Sequence, residues 1–571
     1  MKTHIVPALV IAALLSIPAT AQQVTGFVQV GGHADGTSGS PDRAAEYRSI
    51  GSGADEKLDL TLRSDWLFVN VTSEARNTDE QAHSLTFDLG RMVRSHTVYT
   101  RMPHRLEHDS LANLRGVVGE VKVTGSTDLD PGTRYGIRYD NFANRTDFQI
   151  PALGWLTLTT DYREQWREGH KQSMSLSHCS TCHVQSQGRA IDEHTRDAGL
   201  QARATFGRWS VTGVYSERDS GERAADPTRV YELVEQPALR RPLFNDRMQY
   251  WSKDGALPYD VTPDTEKKLS RLEIANANLG GFAVALAGVS SEITNLDTEN
   301  KVDYDAVSFN LARKVGKSGN FTLRARTYSI DSTDYFVDTV EPVAVAGTYP
   351  GQTYRQRYNY DPDFLRQSTI DRDVMEAQAR YQHRLGKGGT LAASYDARSI
   401  DRDNYLVAPG ETTTMEQKLK LTWSARPAKG LSLRAAATYA DISHPFMSLD
   451  AACNPNALQT TSLPSPLAPG SVQYYQIHEA RVADLSASPS QYLEARLTGT
   501  YQLAASSMAM LSYRYWDGQN DELDLTDWSK QMNAVTATIS VAPAEKTEMH
   551  VAATWAEREL ETHVCIPLMD G

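Results

Sequence analysis

From about residue 265 onward the chain keeps a period of two. Leu419, Leu421, Trp423 and Ala425 alternate with Lys418, Lys420, Thr422 and Ser424, so an extended segment here has one apolar and one polar face, which is strand rather than helix periodicity. Beyond the turn at 426–430 the pattern resumes with Leu431, Leu433, Ala435, Ala437 and Tyr439, and the two runs read as one hairpin. Met375 to Tyr381 and Leu391 to Ala397 form a second such pair, and Val535 to Val541 with Met549 to Trp555 a third. Arg, Lys and Glu recur on one face while Ala, Leu and Tyr recur on the other. That division suits lipid outside and water or a polar partner inside. The expected fold is all-β: a large antiparallel transmembrane β-barrel of roughly 20–26 strands.

Connection lengths point the same way. Short turns at 279–281, 385–389, 426–430, 502–507 and 542–546 alternate with long polar segments at 218–266, 331–371 and 442–490, the asymmetry of barrels with short periplasmic turns and long outer loops. Trp155, Trp166, Trp209, Trp516, Trp528 and Trp555 are expected to form interfacial girdles. Nearer the start, strands are expected at 24–33, 58–73 and 82–100, with a loop at 38–56. The last clear strand, 549–560, ends on the loop side. Because single-chain bacterial barrels have even strand numbers, the chain is expected to lack one or more terminal strands, or to fold residues 562–571 back. Cys453 and Cys565 both fall on the outer side, where a disulfide is chemically allowed.

Residues 1–21 carry Lys2, an apolar run from Ile5 to Ile17 and the small-residue stretch Ala19, Thr20, Ala21, the makings of a cleaved secretory signal peptide. The organisation expected is therefore a signal peptide at 1–21, an N-terminal strand and loop at 22–57, the barrel at 58–560 and a tail at 561–571. No later apolar run is long enough for a spanning helix, and mean hydropathy is -0.47. Four cysteines are too few for a disulfide scaffold in so long a chain. A net charge of -13 argues against a nucleic-acid partner, which needs a basic stripe. Carboxylates and histidines are scattered without catalytic spacing, so no enzyme is expected.

One short string has a different chemistry. His178, Cys179, Ser180, Thr181, Cys182 and His183 place two thiols three positions apart with a histidine directly after, the spacing of covalent c-type haem attachment. Cys179 and Cys182 would form thioethers with the porphyrin vinyl groups, and His183 would be the proximal iron ligand. His194, His170, His178 and Met174 are candidates for the distal position, His194 first. A reversible disulfide or a metal-binding thiol pair is the alternative, and neither requires His183. The motif is expected inside an outer-side loop at about 169–197.

A barrel this wide encloses more than side chains can fill, since 16 to 18 strands already leave an aqueous channel. The signal peptide, the long alternating barrel and the thiol pair together resemble the MtrB/PioB-type outer-membrane porins. In that family a barrel sheathes a multihaem c-type cytochrome and supports electron transfer across the outer membrane; the family's Cys-x-x-Cys pair lies near the mature N-terminus, whereas here it is interior. The resemblance implies a cytochrome in the lumen, touching inner-face residues such as Arg380, Arg434, Arg496 and Arg514, with lipid outside. A diffusion porin with an incidental thiol pair is the other reading.

Overall fold

The computed structural model describes residues 23–562 except 37, 49–50, 113–114, 119–120, 125, 177–183, 231–254, 338–350, 352–355, 357–363, 367–369, 403–412, 446–488, 522–527 and 545–546. The expected signal peptide, the tail beyond 562, Cys453 and Cys565 lie outside the described residues.

The fold is that of a large all-β barrel. One sheet of 22 strands dominates. One of the 22 is the three-residue strand Ser126–Asp128, which pairs parallel to Val184–Ser186. The other 21 run up and down, each antiparallel to the one before it, from Gln23–Ala34 to Thr547–Thr562. Among the described residues no ladder joins these first and last strands, which run in the same direction and form the two edges. The expected cylinder is therefore not closed by backbone hydrogen bonds between them.

The alternation places side chains as expected. Leu421 stands opposite Ala393 and Ala437, and Leu419 opposite Tyr395 and Tyr439; Leu421 is 49% exposed. The opposite face carries a ladder of charge. Arg326 Nη2 lies 2.9 Å from Glu376, whose other oxygen is 3.2 Å from Arg398 Nε, and Lys418 Nζ lies 2.8 Å from Glu416. In a barrel the charged set faces the bore and the apolar set faces lipid, so this face is the concave one, and Arg324, Arg326, Glu376, Asp396, Arg398 and Lys418 line a recess of about 510 Å³ on it. The convex face thus carries the apolar set.

The N-terminal region differs from expectation. Residues 58–73 form the hairpin Ser52–Arg63 and Leu67–Arg76, and 82–100 form the hairpin Glu80–Leu89 and Val93–Leu106. The turns Ser64 to Trp66 and Gly90 to Met92 are only three residues long, too brief to interrupt the apolar pattern visibly. The loop expected at 38–56 is shortened, because strand pairing with Gln23–Ala34 begins at Ser52. Gln23–Ala34 is thus part of the same sheet as the strands that follow it. Two tryptophans also leave their expected place: Trp516 stands opposite Glu494 and Trp528 opposite Asn520, on the concave face, where their rings meet edge to face at 6.4 Å. Trp155 and Trp209, by contrast, are exposed at the short-turn end.

Candidate functional site

Most strands of the sheet are 10 to 17 residues long, but Leu156–Leu176 and Val184–Phe206 run to 21 and 23. The neighbouring strand Tyr135–Phe148 stops pairing at His170, and Trp209–Glu222 stops at Glu193. Beyond those points the two long strands pair with each other through Leu176 and Val184. Six residues beyond His170 carry the hairpin on the order of 20 Å past the ladder. The expected loop at 169–197 is therefore corrected to a protruding hairpin. The sequence hid it because Gln, Ser, Lys, Glu and Arg occupy both faces, as suits strands standing in water on each side.

Its connection, 177–183, contains Cys179, Cys182 and His183 and lies outside the described residues. What the structure places is the frame around it. At the base, Gly169 has φ of 153°, and a Cβ there would run into the carbonyl oxygen of Gly136, so the outgoing strand passes its neighbour where only glycine fits.

Two connecting segments buttress the protrusion. From one side, Ser186 Oγ donates to Asp128 at 3.1 Å, the Leu129 amide donates to the Ser186 carbonyl at 2.9 Å, and Gln172 exchanges two hydrogen bonds with the Asp109 backbone. Asp128 also sits 2.6 Å from His108 Nε2, while His108 Nδ1 lies 2.8 Å from the Thr133 carbonyl. Burial pushes the imidazole down, but Thr133 and Asp128 outweigh it and hold His108 above its ordinary value. Burial likewise pushes Asp128 up, and the hydrogen bonds from Asp130, His108 and Ser186 bring it below the ordinary value.

From the other side, Arg229 Nη1 donates to the Ser175 carbonyl at 3.1 Å and to Ser175 Oγ at 2.6 Å. Ser173 Oγ donates to Asp260 at 2.8 Å, beside Lys171 Nζ at 3.1 Å. Arg189, 2% exposed, faces three carboxylates: Glu222 at 3.7 Å, Asp226 at 3.6 Å and Asp260 at 3.3 Å. Its Nη2 donates to Thr262 at 3.0 Å. Burial would raise Asp260, but Ser173 and Lys171 outweigh it and keep the carboxyl low. These anchors are scaffolding that sequence reading missed, because their partners lie 20 to 89 residues apart in the chain.

The frame also sorts the distal-ligand candidates. His194 is ten residues down the strand from Val184, a separation of about 33 Å. It is already engaged, with Nε2 2.7 Å from Glu164, Nδ1 2.9 Å from Arg223 Nη2 and the ring stacked on Trp166. His194 is thus a tethered residue of the hairpin's base. His170, six residues from Leu176, lies on the order of 20 Å from the tip. Met174 is opposite Ser186, two residues from the end of the ladder, and is 46% exposed. Among the described residues it is the candidate nearest to the end of the ladder at Leu176. No group of three or more His, Cys, Asp or Glu among the described residues is arranged to hold a metal ion.

No protein-family model matches the chain, and no curated protein matches it. Solved structures with a similar course include the FrpB iron transporter of Neisseria meningitidis (11% identity, 91% of this chain and 74% of that one, TM-score 0.44). The ferric enterobactin receptor of Pseudomonas aeruginosa is 7% identical over 95% of this chain and 80% of its own, with TM-score 0.44. The siderophore receptor PiuA of Acinetobacter baumannii is 11% identical over 95% and 82%, with TM-score 0.41. Likenesses at this level carry nothing about what this chain binds.

Proposed function

We propose that this chain is an outer-membrane sheath: its barrel houses a multihaem c-type cytochrome, insulates it from lipid and supports electron transfer across the membrane. Cys179, Cys182 and His183 would hold one further c-type haem at the loop-side rim, with Met174 beside it. The observation that supports the reading is that the connection carrying the motif joins Leu176 to Val184, the ends of a buttressed hairpin that extends past its neighbours in the ladder, in a barrel whose bore is far too broad to be packed by its own side chains. When bound, such a haem would supply a one-electron relay. The chain's own task is then positional. Gly169 launches the hairpin, Arg189 and Asp260 stiffen it, and the paired strands bring residues 176 and 184, the two ends of the connection that carries the thiols, to about 4.8 Å. The charged concave wall offers a hydrophilic face to a protein in the lumen.

Purification from the native host followed by haem staining should recover a haem protein with the barrel. The barrel freed of that protein should give a pyridine haemochrome spectrum of covalent haem, lost on Cys179→Ala with Cys182→Ala. A barrel that is always recovered alone and conducts as a wide open pore in planar bilayers would instead make it a diffusion porin.

A further inference from the structure

The bore wall is not evenly charged. Seven consecutive strands, from Gly319–Ser332 to Ser507–Asn520, carry two groups of basic side chains on the concave face. Arg326, Arg398, Lys418 and Arg514 are paired with Glu376, Glu416 and Glu494, and Asp396 accepts a hydrogen bond from Gln378. Arg324, Arg380, Lys420, Arg434 and Arg496 are exposed. Their cross-strand neighbours are neutral or basic: Thr322 and Ser394 flank Arg380, Ser394 and Thr438 flank Lys420, and Ser424 and Thr498 flank Arg434. Arg496 stands directly opposite Arg514, whose guanidinium already contacts Glu494 at 2.8 Å. Like charges directly opposite in a ladder are destabilising. Among the described residues these five have no ion-pair partner, so a chain with a net charge of -13 places unneutralised positive charge on this arc of its interior.

We propose that this arc is a docking surface for an acidic polypeptide face inside the bore. The proposal rests on the sheath reading and adds the chemistry and location of the contact. Spacing favours a protein over a small anion. The five unpartnered groups extend from Gly319–Ser332 to Gln491–Ala504, five inter-strand steps or about 24 Å at ~4.8 Å each. A phosphate or a single carboxylate reaches neighbours on one or two strands, whereas a folded acidic surface meets all five and relieves the opposition of Arg496 and Arg514. Electrostatic complementarity of this kind sets orientation and speeds encounter. The acidic face would therefore be turned toward this arc rather than the opposite wall, where Arg145 pairs with Asp161 and Arg218 with Asp197.

The test uses the full chain in nanodiscs with poly-L-glutamate as probe and poly-L-lysine as control. Wild type should bind polyglutamate, and binding should weaken with salt as Debye screening shortens. Replacing Arg380, Lys420, Arg434 and Arg496 with Gln should weaken it roughly tenfold or more. Arg380→Lys, Arg434→Lys and Arg496→Lys together keep the charge and should retain binding, which separates charge from damage to the fold. Equal polyglutamate binding by wild type and the Gln variant, or no binding by wild type, overturns the proposal. So does displacement of polyglutamate by inorganic phosphate at matched charge concentration, which would mark a small-anion pore. If polyglutamate binds as expected but no haem protein co-purifies with the native barrel, the sheath reading fails and the acidic-partner surface stands.

Discussion

Arg189 shows how much one residue decides at the rim. It is buried among Glu222, Asp226 and Asp260, and its Nη1 lies 3.3 Å from Asp260 without a hydrogen bond, so the attraction there is coulombic. Removing one partner of a buried ionic group leaves the others uncompensated, a loss of about 3–5 kcal/mol. Arg189→Ala should free the segment around Asp260 from the hairpin, seen as faster amide exchange from Lys171 to Ser173; unchanged exchange would contradict this role. His108 gives a pH dependence. Its folded pKa is raised above 6.5, so its contribution is complete below pH 6.5 and is lost as pH rises through the higher folded value. The Leu129 amide, which closes the short parallel pairing, should lose protection as pH is raised from 6 to 9, after correction for intrinsic exchange. A flat profile would separate His108 from that pairing.

At the scale of the element, the long hairpin depends on its launch point. Gly169 passes the Gly136 carbonyl too closely for a Cβ, and forcing one there displaces backbone rather than a flexible side chain. Gly169→Ala should cost about 1–3 kcal/mol. Because the barrel ladder below continues to pair independently, the loss should appear as local opening of residues 170–176 rather than global unfolding. Hydrogen exchange resolved by segment distinguishes the two. Uniform destabilisation of the barrel would mean that the protrusion is not a separate cooperative unit.

The whole molecule is governed by which face meets lipid. In hydrocarbon every backbone group must be satisfied internally and side chains must be apolar. Leu421 lies on the convex face, and its sequence neighbour Thr422 lies on the concave one between Ala392 and Ala436. Leu421→Arg should destabilise the barrel by about 2–4 kcal/mol, whereas Thr422→Arg should change little. Reversible unfolding in lipid vesicles measures both. The reverse order of effects would turn the sheet inside out and remove the basis for a hydrophilic bore.

The sequence by itself determined the strand class, the direction of each face and the alternation of short and long connections, because a period of two projects directly onto the two sides of a pleated sheet. Leu419, Leu421, Arg380 and Arg496 could all be assigned a side before any fold was in hand. It misjudged segments where that period fails or is unbroken: residues 58–73 and 82–100 hide three-residue turns, and 169–197 is polar on both sides. The Cys179, Cys182 and His183 spacing raised the expectation of a chemistry, but the hairpin whose ends it connects was not legible. Only the tertiary structure decided that His194 is tethered to Glu164 and Arg223, and that Arg189 is anchored by residues from a distant connection. It alone gathered five cations that are unpartnered among the described residues onto one arc, since pairing across strands brings together positions whose separation in the chain has no period to betray it.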